Sequence, residues 1–218
     1  MEEEKEPIRI LQCVSNMDRA GIETMLMNFY RNIDRKKVQF DFLANKSKTG
    51  AYDEEIKSMG GKIYVSPGLN PLKWAKYQKY MKELFINHPE YKIIHCQNET
   101  MGFPALYAAK KNGIKVRIAH SHNTIIRKDL KFLIKSLYKH KIKKVSTINV
   151  ACGYDAGTFL FGKDFKVIKN AIDTSRFIYN EETRENIRNK LKVKDECVIG
   201  MVARFEPQKN HKFIVEVF

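Results

Sequence analysis

The chain has no apolar run of the roughly eighteen or more residues that a membrane-spanning helix requires. It also lacks a basic start followed by an apolar core. The opening MEEEKEP is acidic and polar, so no signal peptide is read there and residues 1–7 are expected to form a flexible tail. Cysteine is scarce. Cys13, Cys96, Cys152 and Cys197 are widely spaced, which fits neither a disulfide framework nor a zinc site and predicts buried thiols in a reducing, cytoplasmic compartment. No GxGxxG is present, which disfavours the usual nicotinamide or flavin site, and no GxxxxGK[ST] is present, which excludes an ordinary P-loop. There is no GxSxG elbow for a serine hydrolase. No repeated Cys/His spacing, RNP-like strand or base-reading helix pair points to nucleic acid. Acidic residues are outnumbered, with 25 Asp plus Glu against 40 Lys plus Arg, a formal net charge of +15. Such a charge favours anionic partners, without choosing between nucleotide phosphates and an acidic membrane face.

What is present is an alternation of strand and helix signals. Nearly continuous apolar runs at 8–14, 38–44, 62–66, 91–96, 116–120, 144–152 and 166–172 read as strands. Between them, helical spacing or helix stops mark 22–33, 52–59, a helix opened by Pro71, 101–113, a mainly helical 125–142 and a short helix after 152. Asp41 interrupts the second strand. Continuous rather than alternating apolar strands, joined through helices, predict an α/β fold: a doubly wound, mostly parallel, Rossmann-like sheet covered on both faces. That domain is expected over 8–172. A polar linker with a short helix at 182–191 follows over 173–195, and VIGMVAR (198–204) then reads as the first strand of an incomplete second domain over 196–218.

Three constellations could carry chemistry. In the loop after the first strand, Gly21 stands at a helix start with Glu23 in its first turn, where exposed amides suit a phosphate or a sugar hydroxyl. VRIAHSHN puts His120 at a strand end with His122 just beyond, on the edge of a parallel sheet that carries sites. A metal there lacks a third ligand. His95, Gln97, Asn98 and Glu99 close the preceding strand and are candidates for binding hydroxyls. Arg204 and Lys209 flank a third place, where two cations and helix-end amides would suit a diphosphate.

These stretches resemble the family 4 glycosyltransferases, the retaining, GT-B-fold group that uses nucleotide-sugar donors. AGIE (20–23) resembles the GG-x-E loop, with Ala20 for the first glycine. VIKNAIDTSRF (167–177) resembles V-I-P-N-G-V-D…F, with Lys169 for proline and Ala171 for glycine. VARFEPQKN (202–210) resembles V-G-R-L…K-N. The resemblance implies a sugar transferred from a nucleotide-sugar to a glycan or lipid-linked acceptor with retention, of the kind that builds bacterial capsule or other surface polysaccharide. It implies Gly21, Arg204 and Lys209 at the donor diphosphate and His120 as the catalytic crevice histidine. Glu23, Gln97, Asn98 and His122 are expected to line the acceptor crevice. No cofactor or metal is implied, and no Asp-x-Asp occurs to hold one. The donor is expected to be a UDP-sugar, the common choice in the family. The family's E-x7-E carboxylate motif lies beyond Phe218, so this chain alone is expected to be inactive. A sugar- or nucleotide-binding domain without turnover, and a GT-B-type nucleotide-sugar epimerase, remain alternatives.

Two segments, 73–82 and 127–144, interleave lysines with apolar residues. Arg127, Lys128, Lys131, Lys135, Lys139, Lys141, Lys143 and Lys144 stand against Asp129 alone in the second. As helices they predict a peripheral contact with an anionic membrane surface at the inner face of the cell membrane. If their apolar faces pack on the sheet instead, the lysines are simply solvated.

Overall fold

A computed structural model describes residues 6–126, 129–206 and 209–217. Residues 1–5 of the tail expected over 1–7, with Arg127, Lys128, Pro207, Gln208 and Phe218, lie outside the described residues. The chain divides into two compact units, 1–173 and 174–218.

The first unit alternates strands and helices: β1 (Ile8–Val14), α1 (Gly21–Asn32), β2 (Val38–Ala44), α2 (Asp53–Ser58), β3 (Ile63–Val65), α3 (Trp74–Asn87), β4 (Ile93–Cys96), α4 (Phe103–Lys111), β5 (Val116–Ser121), α5 (Phe132–Ile142), β6 (Ile148–Ala151), α6 (Tyr154–Phe161) and β7 (Lys166–Val167). The seven strands form one sheet in the order β3-β2-β1-β4-β5-β6-β7, every pair parallel. This is the doubly wound α/β architecture read from the sequence. The order reverses between β1 and β4. The connections diverge there, so the carboxyl ends of those two strands border an open crevice.

Strand alternation explains the two cores. Leu11, Cys13 and Leu43 belong to a cluster with Tyr77, Met81, Leu84 and Phe85 of α3, Leu106 of α4 and Tyr138 and Ile142 of α5. Val14, Phe40 and Phe42, of opposite parity, join Met25, Leu26 and Tyr30 of α1 and Ile56 of α2. Each strand thus supplies apolar residues to both faces, which is why its sequence reads as a continuous run. Asp41 is not a break in β2. It is fully buried and takes both guanidinium contacts of Arg9, at 2.6 Å each.

Several expected elements are shorter. Pro71 opens a 3-10 turn, Pro71–Lys73, and the α-helix begins at Trp74. A second such turn, Glu99–Gly102, precedes α4, whose Pro104 sits in the first turn, where a missing N–H costs nothing. Helix α5 covers only 132–142 of the expected 125–142. The run 144–152 is a strand only over Ile148–Ala151, because its start turns out of α5. At the sheet edge β7 has one neighbour, and pairing ends near Ile168, whose N–H reaches Ala151 O at 2.9 Å.

In the second unit, α7 (Glu181–Leu191) is capped by Asn180, whose side chain accepts from the Thr183 N–H at 2.7 Å. Helix α8 spans His211–Val217. The expected strand at 198–204 is not formed. Among the described residues it has no neighbouring strand, and a lone strand leaves its backbone groups without ladder partners. Val198, Ile199 and Val202 are exposed. So is Cys197, against the expectation of buried thiols. Cys13 and Cys96 are buried, Cys152 is half-buried, and all four are free.

Candidate functional site

The crevice at the β1/β4 switch point holds a cavity of about 760 Å³. Loops after β1, β2, β3, β4 and β5 line it, since all their carboxyl ends lie on one edge. Its polar lining is rich in amides (Asn45, Asn70, Gln97, Asn98 and Asn123), with carboxylates from Glu23, Glu99 and Asp129 and ammonium groups from Lys46, Lys131 and Lys135. Val14, Ile22, Leu69, Met101 and Leu130 supply apolar wall. Amides present donors and acceptors side by side. Combined with short apolar patches, they suit a ligand whose surface is mostly hydroxyl groups on a carbon ring.

Internal bonds hold the lining. Asn98 ties the loop after β4 back to β1: its amide nitrogen donates to Cys13 O at 2.9 Å and its oxygen accepts from Ser15 Oγ at 3.1 Å. Asn45 Nδ2 donates to Val14 O at 2.8 Å, and Ser66 Oγ donates to Asn45 Oδ1 at 2.9 Å. Glu99 holds φ +51, a left-handed backbone that a non-glycine residue adopts at a cost. Its carboxylate accepts from Asn123 Nδ2, and burial pushes its pKa up against that bond and the field of Lys135. Glu23 is also buried and raised, first by desolvation. Two carboxylates of raised pKa facing one cavity are a feature of functional clefts.

Gly21 is the first residue of α1. A Cβ placed there would meet no atom within 4 Å, so packing does not demand the glycine. The space over it is open to a ligand approaching the helix amides.

The histidines form a stack across β4 and β5. His95 and His120 lie parallel, interplanar angle 2°, with Nε2 of the first 3.2 Å from Nδ1 of the second. His120 and His122 have ring centroids 4.1 Å apart. Burial lowers all three pKa values, to about 3 for His95, about 2 for His120 and about 4 for His122. Like-charge repulsion among the rings adds to the lowering of the first two. His120 is 2% exposed and lies outside the lining of the large cavity. Its Nε2 is buried without a hydrogen-bond partner among the described residues. His122 instead reaches a second, smaller concavity of about 310 Å³, beside Asn123, Cys152 and the start of α6.

The structure therefore brings Glu23, Gln97 and Asn98 to one cavity, with Gly21 two residues before Glu23, and places His120 and His122 behind and beside it. Arg204 and Lys209 belong to the second unit, where Arg204 pairs with Glu206 at 3.8 Å. The sequence reading missed Gln12, Asn45, Lys46 and Asn70. The signal was available for the first two. Gln12 is the one neutral polar residue of β1, set among Ile10, Leu11, Cys13 and Val14, and Asn45 follows β2 directly at its carboxyl end.

Residues 19–176 match the model of Glycosyltransferase Family 4. The chain belongs to this family. Among curated proteins it is 35% identical over 222 residues to EpsF of Bacillus subtilis (strain 168), a glycosyltransferase by its name, covering 96% of this chain and 57% of that protein. It is 27% identical to the capsular polysaccharide biosynthesis glycosyltransferase CapH of Staphylococcus aureus, with the same coverage. The chain thus spans 57% of the length of these relatives. A solved structure of Anabaena HepE in complex with UDP and glucose superposes with a TM-score of 0.72 at 15% identity, over 96% of this chain and 57% of that one. This likeness shows the GT-B-type α/β fold. Among the described residues, no helix is long and apolar enough to cross a membrane, and no group of three His, Cys, Asp or Glu could hold a metal ion.

Proposed function

We propose that this chain is the acceptor-side part of a retaining glycosyltransferase, moving a hexosyl group from a nucleotide-sugar to a glycan or lipid-linked acceptor. The observation that carries the reading is the amide- and carboxylate-lined cavity at the switch point. Family membership supports the transfer chemistry, and the capsular role named for CapH supports a surface-polysaccharide product. The UDP bound to HepE supports a UDP-sugar donor. In this reading the cavity holds the acceptor: Glu23 and Glu99 bond its hydroxyls, and Gln97 and Asn98, held by their own internal bonds, shape the crevice wall. Gly21 leaves room for a phosphate group at the amides of α1. In the second unit, Arg204 and Lys209 offer positive charge of the kind that stabilises a departing diphosphate. The acceptor hydroxyl attacks the face the diphosphate leaves, and the diphosphate takes its proton. No metal enters.

The test is sugar transfer measured with UDP- and GDP-sugars, on the 218-residue chain and on the protein at its relatives' full length. The longer protein is expected to turn over and the 218-residue chain to be negligible. Robust transfer by the short chain defeats the reading of it as one side of a two-sided site.

A membrane contact belongs to the same proposal. The structure separates the two basic segments. On α3 the apolar face is spent on the core through Tyr77, Met81, Leu84 and Phe85, leaving Lys73, Lys76, Lys79 and Lys82 exposed. At α5 an apolar stripe stays in solvent, with Leu130 107%, Leu133 81% and Leu137 44% exposed. It starts at the mouth of the large cavity, where Leu130, Lys131 and Lys135 line the wall. Near an anionic surface each lysine adds about 1 kcal/mol. Sedimentation with anionic vesicles is expected to carry the protein down at low salt, less as salt rises, and neutral vesicles to leave it in solution. The paired changes Lys131→Glu and Leu133→Glu should abolish binding with the fold intact. Equal binding to both lipids, or none at low salt, excludes the contact.

A further inference from the structure

Three polar side chains from neighbouring strands form a chain that ends at His122. Gln12 lies in β1 and is 1% exposed. Gln97, also 1% exposed, follows β4, and its Nε2 donates to Gln12 Oε1 at 3.0 Å. Its other amide atom, Oε1, lies 2.8 Å from His122 Nε2. An amide has one donor end and one acceptor end. With its nitrogen on Gln12, Gln97 presents its acceptor end to the imidazole, and this arrangement puts the His122 proton on Nε2. Burial keeps this ring neutral, its pKa lowered to about 4. A neutral ring with a proton on Nε2 has a bare lone pair on Nδ1. Among the described residues nothing donates to that atom, and His122 borders the smaller concavity, about 310 Å³, with Asn123, Thr124 and Asp155.

We propose that Gln97, held by Gln12, is a positioning residue that locks His122 as the Nε2–H tautomer, so that His122 Nδ1 accepts a hydrogen bond from a substrate hydroxyl in the smaller concavity. The hydroxyl half of the proposal rests on the glycosyltransferase reading; the tautomer half does not. The device differs from a general base, because a ring of such low pKa does not hold a proton near neutrality. It selects for a donor group, a sugar hydroxyl, and disfavours a carbonyl or carboxylate at that point. The stacking of His120 on His122 limits rotation of the ring, which keeps the acceptor lone pair in one direction.

Long-range proton–nitrogen correlation spectra of the 218-residue chain at pH 7 read the tautomer directly. His122 is expected to show a protonated Nε2 and a bare Nδ1. Gln97→Leu should release the lock and give mixed tautomers. Gln97→Glu retains the volume and the acceptor, so it should keep Nε2–H and raise the His122 pKa through the added negative charge. In the full-length protein, Gln97→Leu should lower kcat about five- to tenfold with the donor KM little changed, and Gln97→Glu should recover part of it. A protonated Nδ1 in the unmodified chain overturns the proposal. So does an unchanged tautomer in Gln97→Leu, or wild-type kcat in that variant. Should the leucine variant fail to fold, Gln97→Glu decides: an unmoved His122 pKa overturns the lock. A full-length protein with no transfer activity at all would count against the glycosyltransferase reading while leaving the tautomer result in place.

Discussion

Replacing Asp41 by alanine is expected to destabilise the first unit by roughly 3–5 kcal/mol, the cost of breaking a buried ion pair by removing one partner. Four donors converge on this carboxylate. Arg9 Nε and Nη2 reach it at 2.6 Å each, the Lys62 N–H at 2.6 Å and the Tyr91 hydroxyl at 2.7 Å. Asp41 itself is 0% exposed and Arg9 17%. Alanine leaves a guanidinium, a hydroxyl and a backbone amide without their acceptor. Asparagine is expected to fare little better, because one of its two ends is a donor facing donors. The ion pair raises the Arg9 pKa, and burial pushes the Tyr91 hydroxyl far up, so both partners stay in their donor forms at any ordinary pH. For a unit of this size the loss corresponds to a melting temperature lower by roughly 6–20 °C. Glu55→Gln is the control. It breaks the Arg31–Glu55 pair, whose side chains are 35% and 38% exposed, and should cost about 1 kcal/mol or less. Denaturant melts of both variants settle it: a loss at Asp41 no larger than that at Glu55 would show the cluster to be dispensable.

Asp41 also shows where the sequence is readable and where it stops. Its strand was legible from apolar content, yet the residue itself read as an interruption. Its partner, Arg9, lies 32 positions away, diagonal to it across β1 and β2, and that pairing follows from register rather than from any local pattern. The same holds for the site. Gly21, Glu23, Gln97 and Asn98 were legible because polar residues after apolar strands mark the carboxyl edge of a parallel sheet. The adjacency of β1 and β4, which turns those loops into one cavity, is a matter of strand order, and no periodicity encodes it. The histidine stack depends on His95 lying opposite Ile118 in the β4–β5 ladder. Short edge elements failed for a different reason. Strand β7, with β6 as its one neighbour, stops after two residues, and the run 198–204 has apolar sequence suited to a strand but no neighbouring strand among the described residues; strand formation needs a partner, and the sequence carries only half of that requirement.

In the full-length protein, replacing His120 by alanine is expected to lower turnover by roughly 10²–10³-fold, by analogy with the loss of one transition-state hydrogen bond, worth about 2.7–4 kcal/mol. The alternative is a core histidine that serves packing alone. Such a residue normally has both ring nitrogens satisfied, since an unpaired buried polar atom costs about 1–3 kcal/mol. Here Nδ1 faces His95, and Nε2 has no partner among the described residues. That partnerless nitrogen sets His120 apart from a fully satisfied core histidine, and its ring stacks on His122, which borders the smaller concavity. Alanine also removes packing between two rings, so rates are compared at temperatures well below each variant's melt. A turnover loss explained by the unfolded fraction alone would assign His120 to the core. The pH dependence supplies a second readout. An unfolded histidine takes its proton near pH 6.5. In the fold the values fall to about 3 at His95, about 2 at His120 and about 4 at His122. The unfolded chain therefore binds more protons below pH 6.5, and stability, complete above that value, declines as the pH falls through it toward 4. Melts from pH 7.5 to 4.5 should show this slope in the unmodified protein and a smaller one in His120→Ala, which has one fewer buried imidazole and relieves its neighbours' repulsion. An equal slope in the two proteins would mean that His120 is not held neutral by the fold.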